Sequence, residues 1–150
     1  MDREDIVDDS DTTSGHVESP AGRPTGGVYD WYRRGLDLLG SGDVAAAAQI
    51  LSHAHEAEPT SKSIREALAR AQFNSRRYSD SAETFAALVE QDPSDDYAQF
   101  GLGLALSRLG DHHAAAPHLA MAAAMQPSAR HYAQALRQVR ATLQARGGPA

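Results

Sequence analysis

Three prolines, Pro59, Pro93 and Pro127, stand 34 residues apart, and the register they set runs through most of the chain. Sliding the sequence on itself by 34 superposes Gly35, Ala69 and Gly103; Leu38, Gln72 and Leu106; Leu51, Phe85 and Leu119; and Ala54, Leu88 and Ala122. The turns Gly42-Asp43-Val44, Arg76-Arg77-Tyr78 and Gly110-Asp111-His112 fall in the same register. A fixed period of this length marks a chain built of stacked supersecondary units. Each unit leaves an apolar flank that only its neighbour covers.

Within each unit, two stretches rich in Ala, Leu, Gln, Glu and Arg predict a pair of helices, since all five are good helix formers. The first helices are expected over about 29–40, 62–74 and 96–109, the second over about 44–57, 78–91 and 112–125. A further helix without a partner is expected over about 128–146. Asp43 and Asp111 stand where a side-chain oxygen caps the second helix. The glycine before each permits the tight turn, and the proline after each second helix ends the unit. Gly35, Ala69 and Gly103, with Ala47, Ala54, Ala115 and Ala122, remove side chains where helices must approach closely. Trp31, Leu51, Phe85, Leu102 and Leu119 fill the space between. Pro117 breaks the pattern. In the second turn of its helix it removes a hydrogen bond at a cost of ~3 kcal/mol unless relieved, which predicts a kink or a late start.

The aligned residues resemble the tetratricopeptide repeat family. Unit 28–61 shows Trp31, Gly35, Leu38, Gly42-Asp43, Ala47, Leu51, Ala54 and Pro59 at the family's spacing. Unit 96–129 shows Leu102, Gly103, Leu106, Gly110-Asp111, Ala115, Leu119, Ala122 and Pro127. Unit 62–95 keeps Leu68, Ala69, Tyr78, Phe85 and Pro93, but has Gln72, Ser81 and Leu88 where an aromatic and two alanines are usual. The resemblance implies an all-α, right-handed α-solenoid of three helix-turn-helix units, with 130–146 as a capping helix and 147–150 as a tail. It also implies a concave groove lined by the first helices. The inward positions carried over are Tyr29, Tyr32, Leu36 and Leu39; Ser63, Glu66, Arg70 and Phe73; and Tyr97, Phe100, Leu104 and Ser107.

Aromatic side chains with an Arg are the residue types that carry interface energy. The expected partner-binding set is therefore Tyr29, Tyr32, Leu36, Leu39, Glu66, Arg70, Phe73, Tyr97, Phe100 and Leu104. The competing reading packs the rings between neighbouring first helices. Arg70 has two readings as well: a pair with Glu66 at i,i+4, or an anchor for a ligand carboxylate. The positions at which family members grip a chaperone's C-terminal carboxylate correspond to Tyr32, Leu36, Ala67, Tyr97 and Gly101. None supplies the needed donor, so the resemblance does not extend to that ligand.

Charge and composition narrow the partner. Of the 20 acids, seven lie in residues 1–20 with one base, and the rest of the chain is balanced. A neutral body with an acidic leader is poor material for a phosphate-binding surface, which disfavours nucleic acid. The leader, 1–27, is polar, acidic and broken by Pro and Gly, and is expected to be disordered. It serves as a solvating segment, or as a tethered ligand that places Ile6 and Val7 in the groove. The last helix holds Arg130, Arg137, Arg140 and Arg146 and no acid. It is a solvated cap, or a dock for acidic segments, the leader among them, or for RNA phosphate. With no Cys there is no disulfide or thiolate chemistry. No apolar run suits a membrane span, and the acidic start is unlike a secretory signal. The expected setting is the cytoplasm. Thirteen Arg against one Lys points to GC-rich bacterial coding.

Candidate chemistry fails on spacing. His53 and His55 are two apart; His112 and His113 are adjacent, with His118 five beyond. None shares a helix face as metal ligands must. Gly101-x-Gly103 lacks the third glycine of a dinucleotide loop, and no nucleophile is coupled to a base. No catalytic residue, metal or cofactor is expected. The sequence therefore points to a non-catalytic adaptor that binds a peptide or helix of another protein. The alternatives are a homodimer formed through the same aromatic surface and an RNA-associated accessory protein.

Overall fold

A computed structural model of the chain describes residues 22–147. Among these are seven helices and no strand: α1 Val28–Ser41, α2 Val44–Ala57, α3 Lys62–Asn74, α4 Tyr78–Gln91, α5 Asp96–Arg108, α6 His112–Met125 and α7 Arg130–Gly147. Pro59, Pro93 and Pro127 lie just beyond α2, α4 and α6. Residues 1–21 and 148–150, with the leader's acids, Ile6 and Val7, lie outside the described residues.

The turns between first and second helices use left-handed backbone. Gly42 and Gly110 have φ of 90° and 87°, and Arg76, 34 residues from each, adopts 65°. Only glycine takes this conformation without a Cβ penalty, so the middle unit holds a strained residue at a conserved turn geometry. The caps differ between units. Asp111 accepts from the Ala114 N–H at 3.2 Å. Asp43 stands at the same position but makes no cap bond; its carboxylate instead accepts from the Ser41 hydroxyl at 3.4 Å. Ser61 and Asp95, which the sequence did not single out, cap α3 and α5.

Each helix packs on the next in sequence, and each first helix also touches the first helix of the following unit: α1 with α3, α3 with α5, α5 with α7. The second helices, α2, α4 and α6, do not meet. The stack is thus closed on its first-helix side and splayed on the other, which makes the first-helix face the inner one. The core is strung along the stack in three clusters rather than gathered at a centre. Leu51, Leu88 and Leu119 are fully buried.

The departures of the middle unit are satisfied locally. The buried Ser81 hydroxyl donates to the Ala69 carbonyl at 3.0 Å, and Thr84 donates to the Gln72 side chain at 2.6 Å. Buried polar groups with partners cost little. The late start expected at Pro117 does not occur: α6 begins at His112 and runs to Met125. Pro117 and His113 are both exposed, which puts the turn that loses its hydrogen bond on the solvent side of α6.

The expected leader ends in a segment that lies against α1. The Thr25 carbonyl accepts from the Trp31 indole N–H at 2.9 Å and from Arg34 at 3.0 Å, and the Arg23 guanidinium sits over the Trp31 ring.

Candidate functional site

Seven of the ten expected groove residues line two depressions. Five of them, Arg70, Phe73, Tyr97, Phe100 and Leu104, line one pocket of about 70 Å³ between α3 and α5. Asn74, Phe85 and Gly101 complete its lining. Tyr29 and Tyr32 line a second, wider depression of about 340 Å³ on the α1 side, with Ser63 and Ile64 of α3. Leu36 and Leu39 are half-buried against the first core cluster.

The slot between α3 and α5 has a definite construction. Tyr97 meets Phe85 edge to face at 6.0 Å between ring centroids, and burial pushes its phenol up. Phe73 is held edge-on by Tyr78 at 5.2 Å, with the Arg108 guanidinium 5.1 Å above its ring. Such edge and cation contacts fix ring orientation as well as adding attraction. Phe100 is covered on one side by α7: its ring lies 4.5 Å from Tyr132 and 5.1 Å from His131. Tyr132, itself buried, donates its hydroxyl to Asp96 at 2.8 Å, and burial first, then that bond, pushes its phenol far up. For Phe100 and Leu104, then, packing against the capping helix is real and coexists with a place in the slot wall.

The glycine at the floor is a packing requirement. A Cβ on Gly101 would fall inside contact distance of the Phe85 ring. The 34-residue register explains why. Leu51, Phe85 and Leu119 are equivalent, and so are Ala67, Gly101 and Ala135 of the next first helix. Where the second helix carries a ring in place of leucine, the facing first helix gives up its Cβ. Sequence reading placed Phe85 as filler and Gly101 in no role; comparing the two aligned columns was the signal that would have joined them.

Arg70 lines the slot, and Glu66 lies outside its lining but within electrostatic reach of Tyr97. Glu66 and Arg70 make no ion pair with each other among the described residues. Burial, then the Asp95 charge, pushes the Glu66 carboxyl up, with Arg70 opposing. Asp95 and Asp92 are held by Lys62, at 3.4 and 2.9 Å. Tyr29 is 66% exposed and accepts from Arg33 at 3.0 Å.

The histidines are used singly. His118 Nδ1 lies 2.9 Å from the Gln99 side-chain oxygen, and burial lowers its pKa. Nδ1 of His53 and of His55 is buried and has no hydrogen-bond partner among the described residues. Among the described residues no group of three or more His, Asp or Glu is arranged to hold a metal ion. No helix among them is long and apolar enough to cross a membrane.

A stack of helical hairpins closed on one side, with a ring-lined slot between successive first helices, is a helical-repeat solenoid. The sequence model of the tetratricopeptide repeat matches residues 38–102, and over that stretch the chain is similar to tetratricopeptide-repeat proteins. Solved structures share the fold at low identity. MamA residues 41 to the end, from Desulfovibrio magneticus RS-1, is 19% identical with a TM-score of 0.74, covering 77% of this chain and 66% of that one. MamA from MSR-1 is 18% identical with a TM-score of 0.72, covering 79% and 68%. The first tetratricopeptide domain of Spaghetti (RPAP3), bound to the HSP90 peptide SRMEEVD, is 16% identical with a TM-score of 0.72, covering 77% and 92%. No curated protein matches the sequence.

Proposed function

We propose that the protein is a non-catalytic interaction module that seats a peptide or helix of another protein on its first-helix face, anchored in the slot between α3 and α5. The observation that carries this reading is the slot itself: three aromatic residues of the expected set and Leu104 form its walls, and Arg70 and Asn74 stand beside them. An apolar side chain entering it would bury ring surface, and the Arg70 guanidinium would take a carbonyl or carboxylate of the same segment. The related fold bound to an HSP90 peptide supports the mode of use. The ligand chemistry here is different, because Tyr32, Leu36, Ala67, Tyr97 and Gly101 provide no clamp for a terminal carboxylate.

Peptides selected from a random display library against the full chain test this. Their affinity should fall about tenfold with Arg70→Ala, equivalent to ~1.4 kcal/mol, while the melting temperature stays put. Unchanged affinity for every selected peptide would refute the assignment.

A further inference from the structure

Charge is segregated along this chain. Residues 1–20 carry seven acids and one Arg, and residues 21–111 carry thirteen acids against nine bases. From His112 onward there is no Asp or Glu at all, and four Arg. All four lie on α7, which packs on the acid-free α6. Arg130, Arg137 and Arg140 are exposed, away from the Tyr132, Leu136 and Val139 face that α7 buries. None of the three makes an ion pair or hydrogen bond among the described residues, whereas Arg146 lies 3.3 Å from Nδ1 of His112. The acid that α7 does meet, Asp96, is taken by the Tyr132 hydroxyl. Among the described residues no element packs on this arginine face.

We propose that the chain's own acidic N-terminal segment, Asp2 to Asp11, docks on the arginine face of α7 within the same molecule. Charge selects this destination. The segment is repelled by the net acidic body and attracted only by the part beyond residue 111. The slot between α3 and α5 is the rival seat, because Ile6 and Val7 are apolar. Entering it, however, would bring the acids flanking them toward Glu66 and Asp95, where one carboxylate already disfavours the ionisation of the other.

Reach permits the contact. The described chain begins at Gly22 and lies against α1, at the opposite end of the stack from α7. Helices pack ~8–10 Å apart, which puts α7 on the order of 30 Å away across three hairpins. An extended chain covers ~3.3–3.6 Å per residue, so Asp11 reaches up to ~36 Å from Gly22 and Asp2 up to ~70 Å. Asp2, Glu4, Asp5, Asp8, Asp9 and Asp11 can therefore meet the face, and Glu18 cannot. Guanidinium and carboxylate form paired, charge-assisted hydrogen bonds, and at an exposed helix face these weaken with salt.

The absence of native Cys allows a single nitroxide at Ser10→Cys in the otherwise intact chain. Paramagnetic broadening is then read on the backbone amides. At low salt the amides of residues 130–147 should lose about half their intensity or more, and should recover it at ~0.5 M salt, where screening is nearly complete. Recovery should also follow from Arg130→Gln, Arg137→Gln and Arg140→Gln together, with an unchanged melting curve confirming the fold. Broadening centred on the α3 and α5 slot, or confined to α1, overturns the proposal. So does α7 broadening that ignores salt, or broadening seen only when a labelled copy is mixed with an isotope-labelled unmodified one.

Discussion

Gly101→Ala forces a methyl group into the ring of Phe85. The nearest atoms to that Cβ are Cε1, Cζ and Cδ1 of one rigid aromatic side chain that is only 2% exposed, so the neighbour has little freedom to move. Overpacking of this kind costs ~1–3 kcal/mol. Against it stands the helix propensity of alanine over glycine, worth ~1 kcal/mol. The net expectation is a loss of about 1–2 kcal/mol. Phe85→Leu alone leaves a void and should cost about 1 kcal/mol or somewhat more. The double variant recreates the leucine-and-alanine pairing that units one and three already use, Leu51 with Ala67 and Leu119 with Ala135. It should return close to the parent. Urea unfolding of the four proteins should therefore show a coupling of about 2 kcal/mol, within the range measured for contacting residues. An additive cycle, or a Gly101→Ala protein more stable than the parent, would refute the account of how α4 and α5 fit together.

Arg76→Gly should stabilise the chain by about 1 kcal/mol, since it relieves the φ of 65° at the middle turn; thermal melting reads the gain. The Asp92 carboxyl is held down to about 2, by the Ser94 hydroxyl first and by Lys62 next. A depressed acid stabilises the fold above its unfolded value and loses that contribution as pH falls. Stability should therefore decline between about pH 4 and pH 2, and Asp92→Asn should flatten that limb. Glu66 has the opposite sign: its raised carboxyl means that the ionised form opposes folding. Glu66→Gln should raise the melting temperature at pH 7, and the difference should vanish once the solution is acid enough to protonate the native carboxyl.

The repeat was legible because it is written in residues whose backbone behaviour is local. Proline ends a helix and glycine takes a left-handed turn wherever they stand, so Pro59, Pro93, Pro127, Gly42 and Gly110 mark the units without reference to tertiary contacts. The helix bounds followed from the same marks. Other features depend on what lies across a packing interface. Asp43 and Asp111 are the same residue in the same register, yet only Asp111 caps its helix, because Ser41 bonds the Asp43 side chain and position 109 carries leucine instead. Phe100 was readable as an inward-facing ring, but not as one side of a stack with His131 and Tyr132, since no period tells how an unpaired last helix docks. Gly101 looks idle within its own helix and acquires meaning only beside the ring it makes room for. Pro117 was readable as a disturbance of its helix, but not as one lying on the solvent face of a continuous helix.

Chemical-shift mapping on the labelled chain, titrated with a display-selected peptide, bears most directly on the binding reading. The perturbed amides should cluster at Arg70, Asn74, Tyr97, Gly101 and Leu104, with intermolecular nuclear Overhauser contacts from an apolar peptide side chain to the Tyr97 and Phe100 rings. Perturbation gathered on α2, α4 and α6, with the slot unmoved, would contradict it.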